Sequence, residues 1–364
     1  MLDDKIIDQA FLNLRKHKTR RCEIIKIEAD YDNEKARMKE MIWNTRPSED
    51  ADPELAYHPR ARNPVYRFEH GKLRKTYEPE MHEQWLHHII VLVLRPVIDR
   101  TAYRYSCGSL PGKGGHYGMR HLRRMIFKGK NIKYFAKLDI RHFFESADIE
   151  IVIKELGMRI KDDWFLHIIR ICYEGVKGLV LGFYLSQWLA NFLLEPLDRM
   201  ITGSGNENYV RYMDDIVVFG SNKRQLRKLV VEVKKLLGRR LRLKLKRTWQ
   251  ICRFDFRGKG RFLDFMGFRF YRTHVTIRKR IFIKATRLAR RICVRIASGK
   301  RLFRKHAQAM ISYAGWFSWT DSYDAFKKHI SSNVSIRMLK KLVSRLDRRE
   351  NRIKNERILR SQAA

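Results

Sequence analysis

The sequence predicts an α+β fold in which helices flank an antiparallel sheet. The strongest β signal lies at 209–220, where two apolar β-rich runs surround the adjacent acids Asp214 and Asp215. This pattern predicts a strand, a tight turn that carries the acids, and a returning strand. A second apolar run, 134–140, is typical of a buried strand and brings Asp139 to its end. Helical periodicity in much of the remaining chain supplies the flanking layers.

Composition indicates a globular protein with a polyanionic partner. The chain has 364 residues, of which 44% are hydrophobic and 12% aromatic, which is enough for a core and for two or three domains. It carries 78 Lys and Arg against 39 acids, a formal net charge of +39. The bases run from Arg15 to Arg360 instead of clustering in one amphipathic helix, which favours nucleic acid over a membrane surface.

Compartment signals predict a cytoplasmic protein with no membrane partner. The five cysteines are scattered without zinc spacing, as expected of reduced thiols. The first residues, 1–5, include two acids where a secretory signal carries bases. The long uncharged run 178–194 contains Ser186, Gln187 and Asn191, so it reads as a buried site segment.

The N-terminal sixty residues predict a basic helical extension followed by a linker. Apolar spacing predicts one helix over 6–14 and a second over about 23–43. The cluster 15–21 between them is either a solvated helix end or a phosphate clamp, and the overall charge favours the clamp. A proline-containing loop at 44–63 ends the extension.

Further helices and strands are predicted from the periodicity of apolar residues and from the positions of Gly and Pro. A β-hairpin is predicted around His70-Gly71, with bases that are either solvated or placed to grip a triphosphate. An apolar helix over 85–94 is expected to end or bend at Pro96. Helices are also predicted at 149–174, 188–200 and 223–237, and strands at 241–246 and 262–270. From about 282 the pattern is helical and basic, and its aromatic residues favour the core of a small helical domain over base-stacking platforms.

Three acids carry the chemistry that the sequence suggests. Asp139 and the pair Asp214 and Asp215 lie 75 residues apart, each at the end of a β-rich run, so one sheet can bring them to a common edge. An isolated Asp-Asp is also an ordinary turn, and an acid at a strand end is often a helix N-cap. Together, three carboxylates suit two divalent ions that promote nucleotidyl transfer, or a nuclease reaction.

Several ordered blocks resemble those of reverse transcriptases. Tyr212-Met213-Asp214-Asp215 looks like the YxDD box, 139–144 (DIRHFF) matches the "DIxxFF" block, and 265–268 (FMGF) matches the "FLGY" block. Segment 107–116 (CGSLPGKGGH) resembles "SxGFRPGRGTHxA", although Leu110 stands where an Arg is usual. The resemblance covers roughly residues 10–325.

The resemblance implies a right-hand polymerase with fingers and palm (an antiparallel palm sheet flanked by helices) and an α-helical thumb. It implies a basic helical N-terminal extension and linker at 1–60, fingers and palm at 61–273, thumb at 274–334 and a basic C-terminal helix or tail at 335–364. The expected product is DNA copied from RNA, and the resemblance implies that a bacterium or phage encodes the protein.

The resemblance also implies roles for individual residues. Asp139, Asp214 and Asp215 would be catalytic and, with the Ile140 carbonyl, would bind two Mg²⁺ ions, for which Mn²⁺ is a possible substitute. Nucleotide binding would fall to Lys72, Arg74, Phe144, Gly182 and Gln187, with Phe144 as the steric gate against a 2′-hydroxyl. The primer grip would be Phe265, Met266, Gly267 and Phe268. Weaker candidates are Lys246, on the pyrophosphate side, and Tyr212.

One block suggests a subgroup. Group II intron enzymes carry Q-G-x-x-x-S-P where this chain has 181–187 (LGFYLSQ), and the replacements Leu181 and Gln187 resemble diversity-generating retroelement reverse transcriptases. These copy a template-repeat RNA with errors opposite adenine. Some defence-associated enzymes share part of the motif, whereas the N-A-x-x-H and V-T-G motifs of retron enzymes are absent from the sequence.

The expected partners are an RNA template and primer, an RNA–DNA hybrid and dNTPs, with a structured RNA and a small helical accessory protein as further partners.

Two other functions are also compatible with the sequence. One is a defence or abortive-infection reverse transcriptase that makes templated or untemplated DNA. The other is a non-enzymatic RNA-binding scaffold with a polymerase fold, against which the three intact acids speak.

Overall fold

The predicted strand pair around Asp214 is present in the structure, a computed structural model that describes residues 1–59, 63–69, 71–129, 132–206, 208–255 and 260–362. The chain divides into two units. One comprises Met1–Gly118 and Tyr134–Ile251, and the other comprises Met119–Lys133 and Cys252–Ala364. Within the described ranges, no helix is long and apolar enough to cross a membrane.

The first unit combines helices with the main sheet. Its helices are α1 (Asp4–Arg15), α2 (Cys22–Ala29), α3 (Tyr31–Asn44), α4 (Met81–Thr101), α6 (Phe143–Ser146), α7 (Ile149–Gly157), α8 (Asp163–Ile171), α9 (Tyr184–Leu193), α10 (Glu195–Gly203) and α11 (Lys223–Arg240). Its strands are β1 (Val65–Glu69), β2 (Lys72–Thr76), β3 (Tyr134–Asp139), β4 (Tyr209–Tyr212) and β5 (Asp215–Gly220). With β6 (Gln250–Arg253), the main sheet has the order β4-β5-β3-β6, while β1 and β2 pair separately.

The second unit has a small antiparallel sheet and a group of helices. Its strands are β7 (Leu263–Phe265), β8 (Phe268–Phe270) and β9 (Val275–Ile277), in that order. Its helices are most of α5 (Gly115–Lys128), then α12 (Lys279–Ala297), α13 (Arg304–Phe317), α14 (Tyr323–Phe326), a π-helical turn (Lys327–Ser331) and α15 (Ile336–Gln362).

Strand β5 lies between β4 and β3 and is covered on both faces. Its four central residues, 216–219, are all buried, so the strand is continuously apolar and does not alternate. It pairs antiparallel with both neighbours. This burial on two faces fixes the position of the acids where the strand begins.

The N-terminal helices pack on α4 as the apolar spacing of α1 predicts. Ile7, Phe11 and Leu14 are buried, and the indole Nε1 of Trp85 donates a hydrogen bond to the Ile7 carbonyl over 3.1 Å. The Phe11 ring lies 5.0 Å from the Trp85 ring. The extension is therefore part of the first unit's core.

Two of the predicted helices have different bounds in the structure. The helix predicted over 23–43 is two helices, because the chain breaks at Asp30, whose backbone (φ −130°, ψ 44°) is not helical. Helix α4 neither ends at Pro96 nor begins at 85; it runs from Met81 to Thr101.

Two predicted strands are also wrong. Segment 241–246 has the expected alternation of burial but forms no strand, because Arg242 is left-handed (φ 52°) and the Leu243 amide bonds to the Leu237 carbonyl at the end of α11. The run 262–270 is a hairpin of β7 and β8. Its two loop residues, Met266 and Gly267, have φ 51° and 87°, the conformation of a type I′ turn.

A buried ion pair supports the hairpin of β4 and β5. Arg211 is 1% exposed and Asp198, on α10, is 2% exposed. The Arg211 Nη2 lies 2.6 Å from Asp198 Oδ2, and the Tyr209 hydroxyl donates to Oδ1 over 2.6 Å. Arg211 Nη1 also donates to the Met213 carbonyl in the turn over 3.2 Å. The guanidinium therefore joins the turn to α10.

Removal of the Asp198 charge should reduce the stability of the folded protein more than the loss of a surface charge does. Asp198→Asn leaves Arg211 buried without its counter-ion, and we expect a loss of about 3–5 kcal/mol in the free energy of unfolding. Urea denaturation followed by circular dichroism measures it. Glu150→Ala, which removes the exposed Arg170–Glu150 pair, is the control and should cost under about 1 kcal/mol. Equal losses in the two variants would contradict the assigned role of the buried pair.

Candidate active site

The three predicted acids meet at one end of the main sheet. Asp139 and Asp215 are direct cross-strand partners in β3 and β5. Met213 and Asp214 form the two-residue turn between Tyr212 and Asp215. Tyr212 pairs with Asp215 across the hairpin of β4 and β5. Like charges that face each other across a strand pair are destabilising. The fold therefore concentrates negative charge at this point.

Burial and neighbouring charge change the acidity of Asp214. They raise its pKa from 3.8 to about 6, first through desolvation and then through the charges of Asp215 and Asp139. The backbone hydrogen bond of Asp214 and the charge of Lys246 act in the opposite direction. A raised pKa means that the surroundings do not stabilise the negatively charged form of the carboxylate sufficiently. A bound cation supplies the missing positive charge.

Lys246 is the base that contacts this group. Its Nζ lies 2.5 Å from Asp139 Oδ1 and 2.6 Å from Oδ2. Its backbone amide donates to the Asp139 carbonyl over 2.8 Å, and the Arg141 amide donates to the Lys244 carbonyl over 2.7 Å. Segment 241–246 is thus fixed across the end of β3 by its main chain, and the structure brings Lys246, a weaker candidate for the pyrophosphate side, next to Asp139.

The ion pair also bears on metal binding. Among the described residues, no group of three or more His, Cys, Asp and Glu side chains is arranged to hold a metal ion. The ammonium of Lys246 contacts both oxygens of Asp139, where a cation would otherwise bind. The donor set itself fits a hard divalent ion, because it consists of carboxylates with the Ile140 carbonyl next in the chain.

The turn between β4 and β5 has a strained residue held by tight packing. Met213 has φ 54°, which costs a non-glycine residue of order 1 kcal/mol. A Cβ on Gly108 would lie 2.5 Å from the Met213 Cγ and 2.8 Å from its amide nitrogen. Asn191 donates to the Gly108 carbonyl over 2.9 Å and contacts the Met213 sulfur at 3.6 Å. Glycine at 108 is therefore required for this turn.

The subgroup segment 181–187 contacts the chain just after the β1–β2 hairpin. The Tyr77 amide donates to the Leu181 carbonyl over 2.8 Å. Gly182 has φ 108°, and a Cβ there would come within 1.8 Å of the Tyr77 carbonyl oxygen. Gln187 Oε1 accepts a hydrogen bond from the Ser109 hydroxyl over 2.8 Å. The segment thus connects Tyr77 with segment 107–116.

Phe144 lies in α6, five residues after Asp139, and is half-buried against the core. Its neighbour Phe143 is buried at a ring distance of 5.5 Å. Gly178 approaches α6 so closely that a Cβ there would lie 2.5 Å from the Phe144 carbonyl oxygen. The backbone of Phe144 is therefore tightly confined.

The predicted triphosphate residues lie on the separate two-stranded sheet. Arg74 is exposed and directly opposite Arg67, so two like charges share one face of this hairpin. The backbone of Lys72 belongs to β2, but its side chain lies outside the described part of the chain, as does His70 in the loop.

The predicted primer-grip residues 265–268 form the turn between β7 and β8 in the second unit. Phe265 and Phe268 are buried, and a Cβ on Gly267 would lie 2.6 Å from the Trp316 ring. The Phe268 ring packs 4.9 Å from the same indole. A glycine is therefore needed here both for its positive φ and for the contact with Trp316.

Sequence reasoning missed the residues that support the site. Arg211 and Asp198 form the buried pair that supports the hairpin, yet neither belongs to a motif that names a chemical role. Asn191 lies in the run 178–194 that the sequence indicates as a buried site segment, but its contacts with Arg211 and Met213 were not predicted. A usable signal was present, because a lone Arg in the apolar strand Tyr209–Tyr212 needs a buried acid. Asp198 and Glu195, in the amphipathic stretch before it, were the available candidates.

Comparison with known proteins gives a family and two distant structural likenesses. A family model described as reverse transcriptase (RNA-dependent DNA polymerase) matches residues 67–269. The retron Ec73 reverse transcriptase of Escherichia coli is 32% identical over 115 residues, which are 28% of this chain and 36% of that protein. The chain thus spans about a third of the length of this curated relative.

Among solved structures, apo telomerase from Candida tropicalis aligns with a TM-score of 0.48 at 11% identity, covering 71% of this chain and 53% of that one. Telomerase from Candida albicans in complex with a TWJ fragment of telomeric RNA aligns with a TM-score of 0.47 at 10% identity, covering 75% and 56%. These scores are too low to carry an argument about this chain.

The family model spans more than half of the 364 residues and includes all three acids. The right-hand polymerase fold that the sequence predicts is confirmed. The chain belongs to the reverse transcriptase (RNA-dependent DNA polymerase) family.

Proposed function

We propose that this chain is an RNA-directed DNA polymerase that copies an RNA template into cDNA. The observation that carries the proposal is the direct pairing of Asp139 with Asp215, beside Asp214, inside the region that the family model matches. Carboxylates placed in this way are stable together only with added positive charge. The catalytic residues would be Asp139, Asp214 and Asp215.

Two Mg²⁺ ions, or Mn²⁺ in their place, fit this donor set. Asp139, Asp214 and Asp215 would hold them with the Ile140 carbonyl. When bound, such ions activate a 3′-hydroxyl and stabilise the leaving pyrophosphate. Lys246 contacts Asp139 in the metal-free protein, and this cationic side chain would act on the pyrophosphate side.

The other predicted residues would bind the substrates. Lys72 and Arg74, on the exposed hairpin, would hold the triphosphate, and the confined Phe144 would exclude a 2′-hydroxyl. Gly182 and Gln187 would line the nucleotide-binding site. Tyr212 is a weaker candidate for a site residue. Phe265, Met266, Gly267 and Phe268 would grip the primer. Residues 61–273 would then be fingers and palm, 274–334 the thumb, and 335–364 a basic tail.

Within this activity we propose error-prone copying of the diversity-generating type. Leu181 and Gln187 support it, because they replace the residues of intron enzymes in a segment that reaches both Tyr77 and Ser109. The proposed partners are an RNA template and primer, the RNA–DNA hybrid, dNTPs, a structured RNA and a small helical accessory protein. A defence or abortive-infection enzyme is the second candidate, which the likeness to a retron reverse transcriptase favours.

Loss of two carboxylates should abolish polymerisation. For Asp214→Ala with Asp215→Ala we expect dNTP incorporation on an oligo(dT)-primed poly(rA) template to fall by at least ~10³-fold, because the metal ligands are lost. Glu232→Ala, an exposed acid on α11, is the control and should retain activity. Incorporation by the double variant at the wild-type rate would leave the RNA-binding scaffold as the better description.

The acids should also destabilise the metal-free protein at neutral pH. Because the folded-state pKa of Asp214 is raised to about 6, its deprotonation costs folding stability as pH rises from about 4 through 6. Asp214→Asn in EDTA should therefore be more stable than wild type by about 2 kcal/mol at pH 7.5 and equal to it near pH 3.5. Urea denaturation at the two pH values measures this.

Mg²⁺ titration provides the control for the same pair of proteins. It should stabilise the wild type and reduce the advantage of Asp214→Asn, since the ion needs the carboxylate that the variant lacks. An advantage that is independent of both pH and Mg²⁺ would count against a charge effect at this site.

Sequencing of the cDNA should distinguish the two candidate roles. On a defined RNA template we expect substitutions concentrated opposite adenine, and Leu181→Gln should reduce them by roughly fivefold or more because it restores the residue typical of intron enzymes. Leu193→Met, a conservative change in the buried part of α9, should leave the error pattern unchanged. Faithful copies, or untemplated homopolymer from the wild type, would contradict the mutagenic role.

A further inference from the structure

A groove in the second unit lies outside the region that the family model matches. It has a volume of about 570 Å³ and is formed by the end of α12, the following loop and the first turns of α15. Its apolar floor contains Ile296, Leu302, Met338 and Leu342. Ile296 and Met338 are 42% and 40% exposed, so both leave apolar surface open to solvent in the groove.

One wall of the groove is positively charged. Arg337, Lys341 and Arg345 line it and are exposed, and their spacing of four residues places them in a row along α15. Within the described residues these three side chains have no acidic partner. Two acids of α15, Asp347 and Glu350, pair with Arg304 on α13 instead. Arg337, Lys341 and Arg345 thus form a row of positive charge that suits an anionic ligand.

An exposed aromatic ring follows the groove residue Leu302 in the chain. Phe303, directly after Leu302, is 47% exposed. The Arg295 guanidinium lies 4.2 Å from its ring centroid and the Lys305 ammonium 5.8 Å from it. Arg295 is held in place by its Nε, which donates to the Arg301 carbonyl over 2.7 Å. A ring and a guanidinium plane prearranged in this way form a stacking platform for a nucleobase.

The charge of the surrounding chain favours nucleic acid over an acidic protein segment. Residues 279–305 contain eleven Lys and Arg and neither Asp nor Glu, so the field extends well beyond the groove. An acidic amphipathic helix would use the aliphatic floor and the row of cations, but it would leave the platform of Phe303 and Arg295 without a function. A single strand uses all three features, with bases on the platform and floor and phosphates on the row.

We propose that this groove, lined by Arg337, Lys341 and Arg345 beside the platform of Phe303 and Arg295, binds a single-stranded RNA segment. Single-stranded nucleic acids are recognised by such combinations of stacking surfaces and backbone cations. The site does not depend on polymerase chemistry, so it can be tested in the presence or absence of that activity. It gives the α12–α15 region a binding role of its own.

The test compares two triple variants that lose the same charge. The site variant is Arg337→Ala, Lys341→Ala and Arg345→Ala, and the control is Lys327→Ala, Lys328→Ala and Lys340→Ala. The probe is a fluorescein-labelled, unstructured 20-nucleotide RNA, measured by anisotropy with excess unlabelled RNA–DNA hybrid present to occupy the polymerase site.

We expect the site variant to bind the probe at least tenfold more weakly than wild type at 150 mM KCl. The slope of log K against log salt should fall by about 2, which corresponds to three phosphate contacts on a single strand. The control variant should remain within about threefold of wild type. Phe303→Ala should weaken binding with an unchanged salt slope, because it removes stacking and no charge.

Cross-linking and activity complete the experiment. 4-Thiouridine in the probe should cross-link to the peptide that contains Phe303 in wild type and less in the site variant. Both triple variants should extend oligo(dT) on poly(rA) at near wild-type rates, so a failure of this site is distinguishable from a failure of the proposed function. Equal losses in site and control variants, or an acidic helical peptide that binds the groove where RNA does not, would overturn the proposal.

Discussion

The contact between Arg211 and Asp198 is the interaction on which the proposed catalytic hairpin depends. Both side chains are almost fully buried, and the guanidinium also reaches the Met213 carbonyl in the turn. A buried pair of this kind contributes little net stability relative to apolar residues of the same shape, but it has a single satisfied geometry. Its effect is to fix the place where β4 ends and β5 begins. The position of the acids follows from that register.

The acids themselves oppose folding, and the protein tolerates them through local compensation. Asp139 and Asp215 face each other across the strands, while Asp214 stands in the turn with a raised pKa. Lys246 compensates one of the three, and it is fixed by main-chain hydrogen bonds at the end of β3. Stability without metal and the metal-dependent activity that we propose thus place opposite demands on the same residues, which is common at functional sites.

Sequence patterns predicted the parts of this structure that rest on local rules. The hairpin of β4 and β5, the strand β3 and the meeting of Asp139 with Asp214 and Asp215 follow from apolar runs that end on acids. The failures have physical causes of another kind. The hairpin at 262–270 depends on two positive φ values at Met266 and Gly267, and the absence of a strand at 241–246 depends on a bond from Leu243 to the end of α11.

Support residues could not be predicted in the same way, because their partners are distant in sequence. Asn191 serves Ser106, Gly108 and Arg211 at once, and no periodicity reveals such a convergence. The resemblance to a family suggested which residues carry the chemistry, whereas the structure identified the side chains that support those residues. The groove beside Phe303 likewise required three segments of chain to be seen together.

The contact between Gly182 and Tyr77 limits how this enzyme can vary. The two backbones are so close that any side chain at 182 would displace the Tyr77 carbonyl, and Tyr77 directly follows the β1–β2 hairpin. The β1–β2 hairpin and segment 181–187 are therefore joined through main-chain atoms, by the Tyr77–Leu181 hydrogen bond and the close approach of Gly182. Gly182 has to remain a glycine for this reason, so the variation that we propose for copying accuracy is left to side chains such as Leu181 and Gln187.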